Sequence, residues 1–185
     1  TEGNKTVFAQ NLDGPAGLIV SDNDEIFVSL YGENFSGQGG TVMKFLTDGT
    51  KIPYAAGNGM KDVIGITMDE YQNMYVTNWQ TGDLFKIKDG NVTKLGRVGK
   101  VNQIVYANGY IYIPTGNYLK RFAVFPGSNS TEPEIFAGDG NGRSSDGDLL
   151  SASLSSPINV GFSQKTRNLY ILDSGGSLRM IAAEQ

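Results

Sequence analysis

Apolar residues in this chain come in short runs and alternations, separated by Gly, Asn and Asp. Residues 18–20, 25–30, 41–46, 74–77, 84–88, 110–113 and 169–172 have the length and pattern of strands, with turn-forming residues between them. No segment sustains a helical period, and residues 148–155 are expected to make a turn or two of helix at most. The pattern predicts an all-β protein.

The strands repeat in order. An apolar strand, a short polar turn, an aromatic-bearing second strand, a loop, a third strand with a basic residue and a more polar fourth strand occur in sequence. The second strands are Ile26-Phe27-Val28, Met74-Tyr75-Val76, Ile111-Tyr112-Ile113 and Leu169-Tyr170-Ile171. The third strands are Val42-Met43-Lys44-Phe45, Leu84-Phe85-Lys86-Ile87, Leu119-Lys120-Arg121-Phe122 and Leu178-Arg179-Met180-Ile181. The mean interval is about 46 residues, the size of a four-stranded propeller blade. This predicts one domain, a four-bladed β-propeller with four antiparallel strands per blade. Its blades span about 13–56, 57–98, 99–137 and 138–185. The last repeat stops after three strands, whereas residues 6–10 match the fourth strands around 51–55 and 133–137. The N-terminal strand is therefore expected to complete the last blade and hide two sheet edges.

Several stretches carry a family resemblance. Phe136-Ala137-Gly138, Asp146-Gly147-Asp148, Ser156-Pro157, Leu169-Tyr170-Ile171-Leu172-Asp173-Ser174-Gly175 and Leu178-Arg179-Met180-Ile181 resemble an NHL-repeat β-propeller, and Gly14-Pro15-Ala16-Gly17-Leu18 is similar to its inner-strand start. The resemblance implies the propeller fold and leaves function open. That family more often has six blades; four is a departure from it, which leaves open that this chain is part of a larger ring or pairs with another copy.

Composition narrows the chemistry. Among 185 residues there is no Cys and no His, which removes thiol nucleophiles, His-based proton transfer and most transition-metal sites. The 25 Gly fit a turn-rich fold, and 39% hydrophobic residues suffice for a core. With 15 basic against 19 acidic residues and no basic run, neither nucleic acid nor an anionic membrane is an expected partner. No apolar run is long enough to span a bilayer.

Blade topology sorts the loops onto two faces. The first-to-second and third-to-fourth connections share one face and are mostly short. The second-to-third and blade-to-blade connections share the other, with long insertions at 30–40 and 138–157. Recognition is expected on this long-loop face. Candidate ligand-binding residues there are Asn78, Trp79, Asn102, Gln103, Asn159 and Asp173. Trp79 either stacks on a ligand or packs between blades. Asp173 either meets a ligand or accepts turn N–H bonds. Asp139, Asn141, Asp146 and Asp148 form a candidate calcium site among permissive glycines. N-x-[ST] sequons at Asn4, Asn34, Asn91 and Asn129 are glycosylation candidates, which would place the chain outside the cell or at its surface.

The function expected is non-catalytic binding or scaffolding, with a protein or glycan partner on the long-loop face. One alternative is a calcium-dependent lactonase-like hydrolase. Propeller lactonases that resemble this chain use a Glu, an Asn at the inner-strand start and an Asp, but here Ala16 and Ile158 stand at the Asn place. The other alternative is a structural subunit of an extracellular assembly that associates with itself.

Overall fold

The computed structural model describes residue 3 and residues 5–183. Four antiparallel sheets, each a simple meander, are arranged as the blades of a β-propeller. Blade I holds β1 (Pro15–Val20), β2 (Ile26–Leu30), β3 (Thr41–Phe45) and β4 (Lys51–Ala56). Blade II holds β5 (Val63–Met68), β6 (Met74–Asn78), β7 (Asp83–Lys88) and β8 (Asn91–Arg97). Blade III holds β9 (Val105–Ala107), β10 (Tyr110–Thr115), β11 (Tyr118–Ala123) and β12 (Glu134–Ala137). Blade IV has three strands, β13 (Pro157–Phe162), β14 (Leu169–Asp173) and β15 (Leu178–Ile181). Among the described residues the one helical element is a single 3₁₀ turn at Glu33–Phe35; residues 148–155 form turns without helix.

Strand alternation gives each blade two faces, and three of the four core clusters lie between successive blades. Phe27, Val42 and Ala55 of blade I pack on Ile66, Val76 and Phe85 of blade II. Tyr75 and Leu84 of blade II pack on Ile111, Ile113 and Phe122 of blade III. Tyr112 and Leu119 of blade III pack on Val160, Leu169 and Ile171 of blade IV. The aromatic of the second strand in blades I to III thus points to the following blade. Close approach at the centre needs glycine: a Cβ on Gly17 would lie 2.5 Å from the Ile64 carbonyl oxygen. In its place the Gly17 N–H reaches Ser29 Oγ at 2.9 Å, and that hydroxyl donates to the Ile64 carbonyl at 2.9 Å.

The structure corrects one expectation. Residues 6–10 do not complete blade IV: they form no strand, and the last sheet stays three-stranded. Phe8 instead meets the Phe45 ring at 6.5 Å, and Ala9 and Leu12 pack on Val28, Leu30, Met43 and Phe45, the face of blade I turned away from blade II. Covering that apolar face outweighs pairing with β15 across the gap between blades. Among the described residues no core cluster joins blade IV to blade I.

Each third strand carries its basic residue, but not always on the same face. Lys44, Lys86 and Arg121 pair in register with Phe27, Tyr75 and Tyr112, on the face toward the next blade. Arg179 pairs with Ile171 on the opposite face, and Met180 is the partner of Tyr170.

Candidate functional site

The inner strands β1, β5, β9 and β13 each run into a tight turn on the short-turn face. Each turn carries one non-glycine residue with left-handed backbone, Asp24, Gln72, Asn108 or Arg167, at φ of 59°, 61°, 52° and 61°. The turns of all four blades surround a recess of about 400 Å³ lined by Asp22, Asp69, Glu70, Tyr106, Asn108 and Arg167 among others. A neighbouring cleft of about 450 Å³ shares Asn108 and Tyr106 and adds Tyr71 and Phe125, both well exposed. A third, of about 440 Å³, runs between blades III and IV past Arg121 and Phe136.

The floor is rigid. Buried Asp69 accepts the N–H groups of Tyr71 and Asn73 at 2.9 and 2.8 Å, the Asn73 amide at 2.7 Å and the Tyr75 hydroxyl at 3.0 Å. These bonds satisfy a carboxylate that would otherwise be costly to bury. Burial first, then the Asp69 charge, pushes the Tyr75 phenol well above its ordinary range. Tyr106 is also raised, by burial and then by its hydrogen bond with Glu70, and its ring stacks on Tyr75 at 6.5 Å. Both phenols are therefore neutral hydrogen-bonding groups at physiological pH. On the rim Arg167 donates to the Asn108 side-chain oxygen, bridging blades III and IV, and its guanidinium lies 5.9 Å from the Phe162 ring. Asp22, Glu70, Gln72, Asn108, Gln164 and Arg167 are exposed. The mouth therefore offers both charges and amides over aromatic rings.

The long-loop face is organised differently. Asn78 is fully buried; it accepts the Lys61 N–H at 3.0 Å and donates to the Gly59 carbonyl at 2.9 Å and Thr81 Oγ1 at 3.3 Å. It brackets the blade I–II connection and has no surface to offer a ligand. Trp79 is half-buried beside it, its N–H on the Asp62 carbonyl at 3.1 Å. Gln103 reaches across to accept the Ile66 N–H at 3.2 Å, while Asn102 and Asn159 are exposed. Asp173 is buried with neither carboxylate oxygen hydrogen-bonded; the turn N–H of Gly176 goes to its backbone carbonyl, and Arg179 Nη1 stands 3.8 Å from its side chain. The six candidates are thus spread over three blades rather than gathered around one cleft.

Arg179 explains the order of the longest loop. Its guanidinium donates to the carbonyls of Ser145 and Ser153 at 2.9 and 3.1 Å and to Asp146 at 2.6 Å. Asp139 accepts the N–H and side-chain amide of Asn141 at 2.9 and 2.7 Å and the Ser153 hydroxyl at 2.7 Å. Those hydrogen bonds hold its carboxyl below the ordinary value. Of the candidate calcium set, the Asp139, Asn141 and Asp146 side chains thus bond within the loop or to Arg179, whereas Asp148 takes part through its backbone carbonyl, which accepts the N–H groups of Ser151 and Ala152. Among the described residues no three His, Cys, Asp or Glu side chains gather closely enough to hold a metal. Of the sequons, Asn34, Asn91 and Asn129 are exposed; Asn91 opens β8 and Asn129 lies in the β11–β12 connection, both at the short-turn face, and Asn4 lies outside the described residues.

Reading the sequence missed the recess because each turn alone reads as a solvated corner. The available signal was collective: Asp22, Asp69-Glu70 and Asn108 fall at equivalent turns of successive repeats.

No protein-family model and no curated protein matches the chain. Solved structures do. An auxiliary nutrient binding protein from Bacteroides thetaiotaomicron superposes with a TM-score of 0.69 at 13% identity, over 91% of this chain and 44% of that one. A gluconolactonase from Xanthomonas campestris gives 0.63 at 15% identity, over 92% and 57%. Virginiamycin B lyase from Staphylococcus aureus gives 0.56 at 12% identity, over 91% and 55%. The chain thus spans about half the length of these proteins. Identities this low bear on fold alone, and the fold they share with this chain is the β-propeller.

Proposed function

We propose that this propeller is a non-catalytic binding module and that its ligand is a hydroxyl-rich molecule, a glycan, seated in the recess on the short-turn face. The observation that carries the reading is the convergence of all four inner turns on one mouth, where Asp22, Glu70, Asn108 and Arg167 ring the phenol of Tyr106. Its volume of about 400 Å³ suits a small ligand. Exposed Tyr71 and Phe125 in the adjoining cleft provide flat surfaces for sugar rings. The sequence expectation placed recognition on the opposite face, where Asn78, Asp139, Asp146 and Arg179 are instead occupied in internal bonds. Binding is favoured over hydrolysis because the buried carboxylate of the recess, Asp69, is fully hydrogen-bonded and the phenols are held protonated. A nutrient-binding protein among the structural relatives is in keeping with this reading. Exposed sequons at Asn34, Asn91 and Asn129 support a location outside the cell.

The test is a glycan array, then calorimetric titration of whichever oligosaccharide binds. Arg167→Ala and Asn108→Ala are expected to weaken binding at least tenfold, with the unfolding transition little changed. An array without hits, or a hit indifferent to both substitutions, overturns the reading.

A further inference from the structure

The third strands supply a base in every blade, and in three of the four an acid answers it. Lys44 pairs with Glu25, Arg121 with Glu134 at 2.6 Å and Arg179 with Asp146 at 2.6 Å. Lys86 is the exception. It is half-buried, yet among the described residues it makes neither an ion pair nor a hydrogen bond. Its neighbours explain why. Lys86 stands in register with Tyr75 on β6 and Thr93 on β8. In blade III the place of Thr93 is held by Glu134, opposite Arg121. In blade I Glu25 immediately precedes β2, whereas Asn73 precedes β6 in blade II.

Asn73 leaves a second group unmet. It is buried, its side-chain amide donates to Asp69 at 2.7 Å, and its Oδ1 has no partner. Asn73 and Lys86 line the same cleft, the one of about 450 Å³ that opens from the recess. Lys86 also lines a further cleft of about 260 Å³, which shares Val124, Phe125 and Pro126 with the first. Together the two form a groove running outward between blades II and III. Charge changes along it. Asp69 and Glu70 stand where the groove leaves the recess, and the Asp69 carboxylate is already saturated by its donors. The outer cleft is walled by Tyr75, Leu95, Phe122, Phe125 and Ser130 among others, and Lys86 is its one charged side chain. A half-buried ammonium there, without a counter-charge, is matched by an anion.

We infer, on the reading of the recess as a glycan site, that the glycan is acidic. Its carboxylate or sulfate group lies beside Lys86, and one of its hydroxyls donates to Asn73 Oδ1. Hydroxyls at the inner end meet Asp22 and Asn108, a sugar face lies on Tyr71 or Phe125, and the anion sits in the outer cleft, away from Asp22 and Glu70. The Lys86 ammonium is a point charge with three donors and takes carboxylate and sulfate alike. A neutral glycan satisfies Asn73 and leaves Lys86 without its counter-charge.

The test is a glycan array holding neutral, uronate and sulfated members. Hits are expected among the acidic members, and the array itself tells uronates from sulfates. Methyl esterification of a uronate hit, or desulfation of a sulfated one, is expected to weaken binding about tenfold, the scale of one hydrogen bond to a charged group. Lys86→Gln is expected to cause the same loss and Lys86→Arg to retain binding, with unfolding unchanged in both. Thr93→Glu keeps Lys86 and installs, at an exposed position, the acid that Glu134 supplies to Arg121. It too is expected to remove the preference for acidic members. Arg167→Ala is expected to weaken acidic and neutral members alike. Neutral members bound as tightly as their acidic counterparts, or acidic hits indifferent to Lys86→Gln and Thr93→Glu, overturn the acidic assignment and leave the glycan site standing. An array without hits overturns both.

Discussion

Blades II and IV are written in nearly the same pattern and live in different surroundings. Tyr75, Val76, Leu84 and Phe85 of blade II are fully buried between two neighbours. Their counterparts in blade IV divide: Ile171, in the place of Val76, is 1% exposed against blade III, whereas Tyr170 is half-buried and Leu178, in the place of Leu84, faces solvent. A strand pattern specifies a seat on each face of the sheet. Whether the seat is filled depends on what lies across the interface, which the strand does not encode. Buried faces are worth about 1.5–3 kcal/mol per large side chain, so the same residue type carries very different weight in the two blades.

The largest expected effect follows directly. Phe85→Ala removes a ring packed between blades I and II and is expected to cost about 3–5 kcal/mol in urea unfolding. Leu178→Ala, on the open face of blade IV, is expected to change stability by less than about 0.5 kcal/mol under monomeric conditions. Equal losses at the two sites would show that blade IV is covered and would break the comparison.

A second prediction tests the seat on blade I. Deleting residues 1–12 removes Phe8, Ala9 and Leu12 and uncovers Val28, Leu30, Met43 and Phe45. It is expected to lower stability by about 2–4 kcal/mol, judged from the apolar side chains uncovered. Hydrogen exchange should rise in β2 and β3 of blade I and not in β14 and β15. Faster exchange in β15 instead would place these residues on blade IV.

Most of the fold was legible. Phe27, Tyr75, Tyr112 and Tyr170 mark equivalent points of the four second strands, and the fourfold order follows from them. The parity of the third strands was legible too: Lys44, Lys86 and Arg121 stand third in their strands as aligned, and Arg179 stands second. A period of two then puts Arg179 on the other face, where it holds the 138–157 loop. The fate of residues 6–10 was not legible, because their sequence suits a fourth strand equally well in either place. The recess was not legible either, since it is made by turns from four blades whose convergence is a tertiary fact.

A smaller effect concerns the loop anchored on blade IV. Arg179→Lys retains the charge and loses the fork that holds two carbonyls and Asp146 together. Proteolysis within 138–157 is expected to quicken several-fold, with global unfolding shifted by no more than about 1–2 kcal/mol. Unchanged cleavage would mean that the loop is held by its own turns.

The smallest effect is a pH dependence confined to the same loop. Asp139 lies below its ordinary value of 3.8, first because the Asn141 N–H donates to its carboxylate and then because the Ser153 hydroxyl and the Asn141 amide do. A group depressed in the folded state stabilises it above the unfolded value, and the contribution fades as pH falls through the folded value. The loop is therefore expected to be tight at neutral pH and to loosen only in acid below 3.8. The readout is hydrogen exchange at the amides of Asn141 and Ser153, corrected for the intrinsic acid dependence of exchange. Asp139→Asn retains much of the shape without the titration, so protection in the variant should be lower at neutral pH and flat through the acid range. The amides of β6 and β7 in blade II, paired in the middle of their sheet, report global opening and serve as the internal control. Acid loosening that appears in both blades at once would be global unfolding, and the separate behaviour of the 138–157 loop would fall with it.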